Sequence, residues 1–97
     1  MTPDEAQDAL DALRAEIDKV DRKILDLLNQ RTIVVQQIGK IKQTMAMPIY
    51  EPKREEEVFS NVMDNNGGPL PNDSVKRLFE RIIDEMRTVQ KVQMERK

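Results

Sequence analysis

From Leu10 to Ile41 the apolar residues of this chain recur at helical spacing: Leu10, Leu13, Ile17, Val20, Ile24, Leu27/Leu28, Val34/Val35, Ile38 and Ile41. No proline interrupts the run, and its single glycine is Gly39. The pattern predicts one helix from Pro3 or Asp4 to about Thr44, with Thr2 or Asp4 as its cap and Pro3 tolerated in the first turn. Such a helix is about 60 Å long at about 1.5 Å per residue. A compact globule of 97 residues is only about 26 Å across. The short helices that follow cannot cover that length, so the pattern predicts a second copy of the chain: an intertwined homodimer.

The rest of the chain supplies two shorter helices. Met45 to Glu51 reads as a loop broken by Pro48, and Pro52 suits the first turn of a helix over about 52–64, with Val58, Phe59, Val62 and Met63 as its apolar face. Asn65-Asn66-Gly67-Gly68-Pro69 is a stop, with asparagine or glycine expected as a left-handed cap. Leu70-Pro71 then leads to Asn72, Asp73 or Ser74 as the cap of a third helix ending near Met94. Its seam is Val75, Leu78/Phe79, Ile82/Ile83, Met86, Val89/Gln90 and Gln93. The expected architecture is therefore all-α, three helices, in a single domain spanning 1–97.

Composition narrows the chemistry. Charged residues make up 35% and aromatics 3%, the balance of exposed helical surfaces around aliphatic seams. With no cysteine there is no disulfide and no thiol nucleophile, and with no histidine a transition-metal site and an imidazole base are both disfavoured. A net charge of −2 argues against bulk nucleic-acid binding. No apolar run is long enough to cross a membrane, and the polar, acidic stretch from Met1 to Asp11 does not read as a signal peptide, so a cytoplasmic location is expected.

Several polar residues occupy apolar register positions. The long helix calls for apolar residues near 31 and 42, and the chain supplies Arg31 and Lys42. They stand eleven residues apart, so they project within about 20° of each other and about 16 Å apart along the axis. A buried cation without a partner is costly. The pair either snorkels to water and neighbouring acids, or grips an acidic ligand. Arg14 lies seventeen residues before Arg31, about 25 Å along the axis and about 100° away, so it reaches such a ligand only from the other chain of an antiparallel dimer; alone it would pair with Asp18. Arg54 and Glu55, one turn before Val58 and Phe59, can each point inward, although the helix dipole by itself favours an acid there. Gln90 continues the seam of the third helix as a buried amide or as a tolerated polar residue near its end. Together these residues describe a pocket of cations, one carboxylate and one amide, suited to a small dicarboxylate that rearranges within itself.

These positions, in this order, resemble the all-helical (AroQ-class) chorismate mutases. The resemblance is carried by Leu13-Arg14-Ala15-Glu16-Ile17-Asp18, Leu27-Leu28-Asn29-Gln30-Arg31, Ile38-Gly39-Lys40-Ile41-Lys42, Pro48-Ile49-Tyr50-Glu51-Pro52-Lys53-Arg54-Glu55 and the run from Leu78-Phe79 to Gln90. The Asn66-Gly67-Gly68-Pro69 connection looks most like mutase domains joined to 3-deoxy-arabino-heptulosonate-7-phosphate synthases. That subgroup implies a covalent or non-covalent link to such a synthase.

The resemblance implies conversion of chorismate to prephenate without a cofactor. Arg31 and the partner chain's Arg14 would clamp the two substrate carboxylates. Lys42 and Gln90 would hydrogen-bond the ether oxygen, and Glu55, helped by the backbone near Glu51, would accept from the ring hydroxyl. Arg54 would complete the charge network. Two departures stand out: Glu51 where the family often has Asp, and Met86 where it often has Ser. Met86 offers no side-chain donor, so one substrate contact is expected to be lost or made by backbone or water. Two rival functions share the pattern. An isochorismate pyruvate lyase has the same fold but lacks an acid at the position of Glu55, and a non-catalytic helical dimerisation module would explain the long helix alone.

Overall fold

The computed structural model describes residues 1–96; the last residue of the expected domain span, Lys97, lies outside the described residues. Three α-helices make up the fold: α1 Pro3–Thr44, α2 Pro52–Asp64 and α3 Asn72–Glu95. No strand occurs among the described residues. At the start of α1, Thr2 Oγ1 accepts from the Glu5 backbone N–H at 3.1 Å, and Asp4 and Glu5 in the first turn complement the helix dipole.

The chain divides into two compact units, Met1–Ile33 and Val34–Lys97. The first unit is α1 sequence with a bare apolar stripe: Leu10, Leu13, Ile17, Val20, Ile24 and Leu27 are 46–62% exposed. Ala6, Leu28, Arg31 and Thr32 are half-buried. Arg14 lies 4.0 Å from Asp11, one turn back, rather than beside the expected Asp18; Asp11 already accepts from Gln7 Nε2 at 2.9 Å. Both members of the Arg14–Asp11 pair are well exposed, so the pair adds little to stability.

The second unit holds the core. Its buried apolar residues are Val35, Val75 and Ile83, with Gly39, Lys42 and Gln90 buried beside them. The face of α2 is as expected: Val58, Phe59, Val62 and Met63 are half-buried, and α2 packs on α3. Two seam expectations change. On α1 the inward stripe of this unit runs Val35, Gly39, Lys42, while Ile38 and Ile41 are 43% and 61% exposed. On α3, Phe79 turns in and Leu78 remains 54% exposed. In both helices the doubled apolar positions serve two faces, and only one of them meets this chain's own core.

The helix ends set the loops. After α1, the Met47 N–H donates to Lys42 O at 2.7 Å and the Ala46 N–H to Gln43 O at 3.4 Å, with Ala46 at φ 54°. This is a Schellman closure built on alanine rather than glycine. It folds the chain back so that Ile49 and Glu51 pass close to Lys42. After α2 the expected left-handed cap is absent: Asn65, the cap residue, has φ −95° and bonds back to Asn61 O through its side-chain amide at 2.8 Å. The left-handed residue is Gly68, at φ +74°, three positions later. Asn66 braces this loop by accepting from the Gly68 N–H at 3.0 Å and donating to Leu70 O at 2.7 Å and Asn72 Oδ1 at 2.8 Å. With its side chain engaged by Asn66, Asn72 does not cap α3. Pro71 is the cap residue and no side chain closes that end.

Candidate functional site

The second unit collects most of the polar residues singled out in the sequence. Lys42 belongs to the buried stripe of α1, and its ammonium donates to Ile49 O at 3.0 Å and lies 2.9 Å from Glu51 Oε2. The lysine side chain is 8% exposed and the glutamate side chain 46%. The cation is thus withdrawn from water while its counter-charge stays at the rim. A desolvated ammonium is worth more to a developing negative charge than a solvated one, because little water has to reorganise.

Gln90, on the inward face of α3, is as buried as Lys42, and its Nε2 donates to Val35 O at 3.3 Å. One turn on, Gln93 Nε2 donates to Gln36 O at 2.9 Å. These bonds reach carbonyls that already serve the α1 ladder, which requires α3 to lie very close to α1 within this unit. Gly39 permits it. A methyl group there would run into the Gln93 side-chain amide oxygen and stand 3.5 Å from Gln90 Cγ. Gly39 and Gln93 thus shape the α1–α3 contact around Gln90, and neither is among the candidate site residues named from the sequence. The available signal was the lone glycine inside a 42-residue helix, where glycine costs about 1 kcal/mol relative to alanine and so marks a close approach.

Glu55 points inward from the first turn of α2, its side chain 20% exposed, with Arg87 Nε of α3 3.6 Å from Glu55 Oε2. The guanidinium of Arg87 lies over the Tyr50 ring at 5.4 Å and binds Asp84 Oδ1 through Nη2 at 2.6 Å. Arg87 Nε is buried and makes no hydrogen bond among the described residues. Arg87 is not among the candidates named from the sequence. It follows Met86 and stands one turn after Ile83, at the edge of the seam rather than at an apolar register position, so spacing alone does not mark it. Arg54 takes the other direction: it is well exposed and its Nη1 is 3.2 Å from Glu57 Oε2. Of the Arg54-Glu55 doublet, only Glu55 faces the interior.

Met86 is half-buried on α3. Arg14 and Arg31 belong to the first unit, Arg14 exposed and Arg31 half-buried. The second unit therefore contains Lys42 paired with Glu51, Gln90 bonded to Val35 O, and Glu55 beside Arg87. It offers a buried cation on Lys42, a buried amide on Gln90 and a carboxylate on Glu55 set beside a guanidinium.

Residues 13–91 match the family model described as chorismate mutase type II. The bifunctional chorismate mutase/prephenate dehydratase of Pseudomonas aeruginosa is 42% identical over 82 residues, 79% of this chain and 22% of that protein. Its counterpart from Aquifex aeolicus is 36% identical over 86 residues, 84% of this chain and 24% of that protein. The chain thus spans less than a quarter of the length of these curated relatives. A crystal structure of chorismate mutase from Helicobacter pylori, in complex with prephenate, superposes with a TM-score of 0.86 at 30% identity, covering 93% of this chain and 98% of that one. With helices, spacing and family model in agreement, this chain belongs to the type II, all-helical chorismate mutases.

Proposed function

We propose that this chain converts chorismate to prephenate by an intramolecular Claisen rearrangement, as a single mutase domain. The observation that carries the reading is that the polar side chains buried in the core of one unit are the ammonium of Lys42 and the amide of Gln90. The reaction is unimolecular and transfers no proton, so a site without histidine or cysteine loses nothing. Rate comes from holding a compact reactive conformer and from stabilising charge that builds on the ether oxygen as its bond breaks. Lys42 and Gln90 donate to that oxygen, and Glu55 accepts from the ring hydroxyl. When substrate enters, Lys42 exchanges part of its present contact with Glu51 for the ether oxygen, while Glu51 at the rim stays solvated. Arg54 contributes long-range positive charge from outside. The half-buried thioether of Met86 packs against the substrate without donating.

Arg31 and the partner's Arg14 clamp the two carboxylates, a task suited to bidentate guanidinium groups. Helix register supports Arg31, which stands one turn before Val35 on α1. The cross-chain role of Arg14 requires an intertwined homodimer. The exposed apolar stripe from Leu10 to Leu27 supports that assembly, because a helix stretch this apolar gains little stability until a second helix covers it.

The Asn66-Gly67-Gly68-Pro69 connection supports a finer reading: a mutase linked, covalently or by docking, to a 3-deoxy-arabino-heptulosonate-7-phosphate synthase. No helix among the described residues is long and apolar enough to cross a membrane, and the reading places the enzyme in the cytoplasm. The test is an ultraviolet assay of chorismate loss with the product identified, run beside isochorismate. Prephenate is the expected product. Faster release of pyruvate from isochorismate would make the chain a lyase, and no turnover of either would leave a dimerisation module.

A further inference from the structure

The carboxylate of Glu55 does not stand alone, and its companion bears on which substrates the site accepts. Arg87 is fixed from three sides: the Tyr50 ring at 5.4 Å, Asp84 Oδ1 at 2.6 Å from Nη2, and Glu55 Oε2 at 3.6 Å from Nε. These three contacts come from the loop before α2, from α3 itself and from the first turn of α2, so the guanidinium is located by the packing of the unit. The two acids are not equivalent. Asp84 is 59% exposed and water screens much of its charge, whereas Glu55 is 20% exposed. Arg87 Nε, the nitrogen turned toward Glu55, is the buried one. The Arg87–Glu55 contact is therefore the less screened of the two, although the hydrogen bond of the guanidinium goes to Asp84.

We propose that Arg87 is a positioning residue that sets specificity: it balances the charge of Glu55 so that the site prefers a neutral hydroxyl over a cationic ammonium at the substrate atom Glu55 meets. The inference rests on the mutase reading, in which that atom is the ring hydroxyl of chorismate. A carboxylate paired with a guanidinium still accepts a hydrogen bond from a neutral donor. It attracts a second cation far less, because the incoming charge meets a pair of near-zero net charge. Removal of Arg87 leaves an uncompensated, mostly desolvated carboxylate, for which an ammonium is the better partner.

The experiment measures kcat/KM for chorismate and for the analogue carrying an amino group in place of the ring hydroxyl. It compares the unaltered protein with Arg87→Gln, Arg87→Lys, Glu55→Gln and the double variant Glu55→Gln/Arg87→Gln, with folding checked by circular dichroism. Arg87→Gln is expected to shift the ratio of the two kcat/KM values toward the amine by about tenfold, chiefly through KM, the size of one charged hydrogen bond. Arg87→Lys keeps most of the original ratio. In the Glu55→Gln background the Arg87→Gln shift disappears. Equal losses on both substrates in Arg87→Gln would reduce Arg87 to a structural residue and overturn the proposal, as would a shift that persists without Glu55. An unaltered protein inert toward chorismate would instead refute the mutase reading itself, and the inference with it.

Discussion

Lys42 Nζ and Glu51 Oε2 are 2.9 Å apart, yet the lysine is almost wholly buried and the glutamate half exposed. The backbone closure at the end of α1 creates this asymmetry, since Lys42 O also accepts the Met47 N–H that turns the chain back. One residue is thus tied to the loop through both its carbonyl and its ammonium. The pair should respond unequally to the loss of either member.

Lys42→Met is expected to stay folded, with stability changed by about 1 kcal/mol or less, because the apolar replacement removes a desolvated charge and leaves Glu51 in water. Its mutase rate should fall at least about a hundredfold. Glu51→Ala should do the reverse, lowering stability by about 2 kcal/mol because the buried ammonium keeps only Ile49 O as its acceptor. Urea titration beside steady-state kinetics on both variants checks the crossing pattern.

Gly39 and Gln93 should be coupled. Gly39→Ala gains helix propensity of about 1 kcal/mol but displaces the Gln93 amide from Gln36 O, a loss of similar size, so the net change is expected near zero. In a Gln93→Ala background the same substitution has no amide to displace and should stabilise by about 1 kcal/mol. A thermodynamic cycle over the four proteins reads the coupling directly, and strict additivity would contradict the packing described.

Ala46→Gly should raise stability by about 0.5–1 kcal/mol, since Ala46 holds φ 54° where a side chain is disfavoured. Ala46→Val should lower it by more than that, because a β-branched residue tolerates this region least. Thermal denaturation followed by circular dichroism distinguishes the two directions.

The proposed homodimer carries its own predictions. Ile17→Asp or Ile24→Asp, on the exposed stripe, should leave a monomer in sedimentation and reduce helicity, since the first unit then has nothing to cover it. Arg31→Ala should remain a folded dimer with at least about a hundredfold lower rate. Mixing Arg14→Ala with Arg31→Ala chains should recover part of the activity, because each heterodimer regains one intact site. Confirmed subunit exchange with no recovery would remove Arg14 from the site.

The helices were legible in the sequence because their signals are local. Register, proline positions and the Asn-Gly-Gly-Pro stop bound α1 and α2, and the core faces of α2 and most of α3 follow from spacing. Lys42, Gln90 and Glu55 stood out because a polar residue at an apolar register position is conspicuous without any knowledge of its neighbours. What tertiary structure alone decided was which partner each polar group takes: Glu51 and Ile49 O for Lys42, Val35 O for Gln90, Arg87 for Glu55, and Glu57 rather than the interior for Arg54. It also decided which of two apolar faces each helix turns inward, so that Gly39 rather than Ile38 meets α3. The physical reason is that periodicity specifies the direction of a side chain around one helix axis. Pairing depends on how closely two axes approach, and here Gly39 leaves room for the Gln93 amide to reach α1.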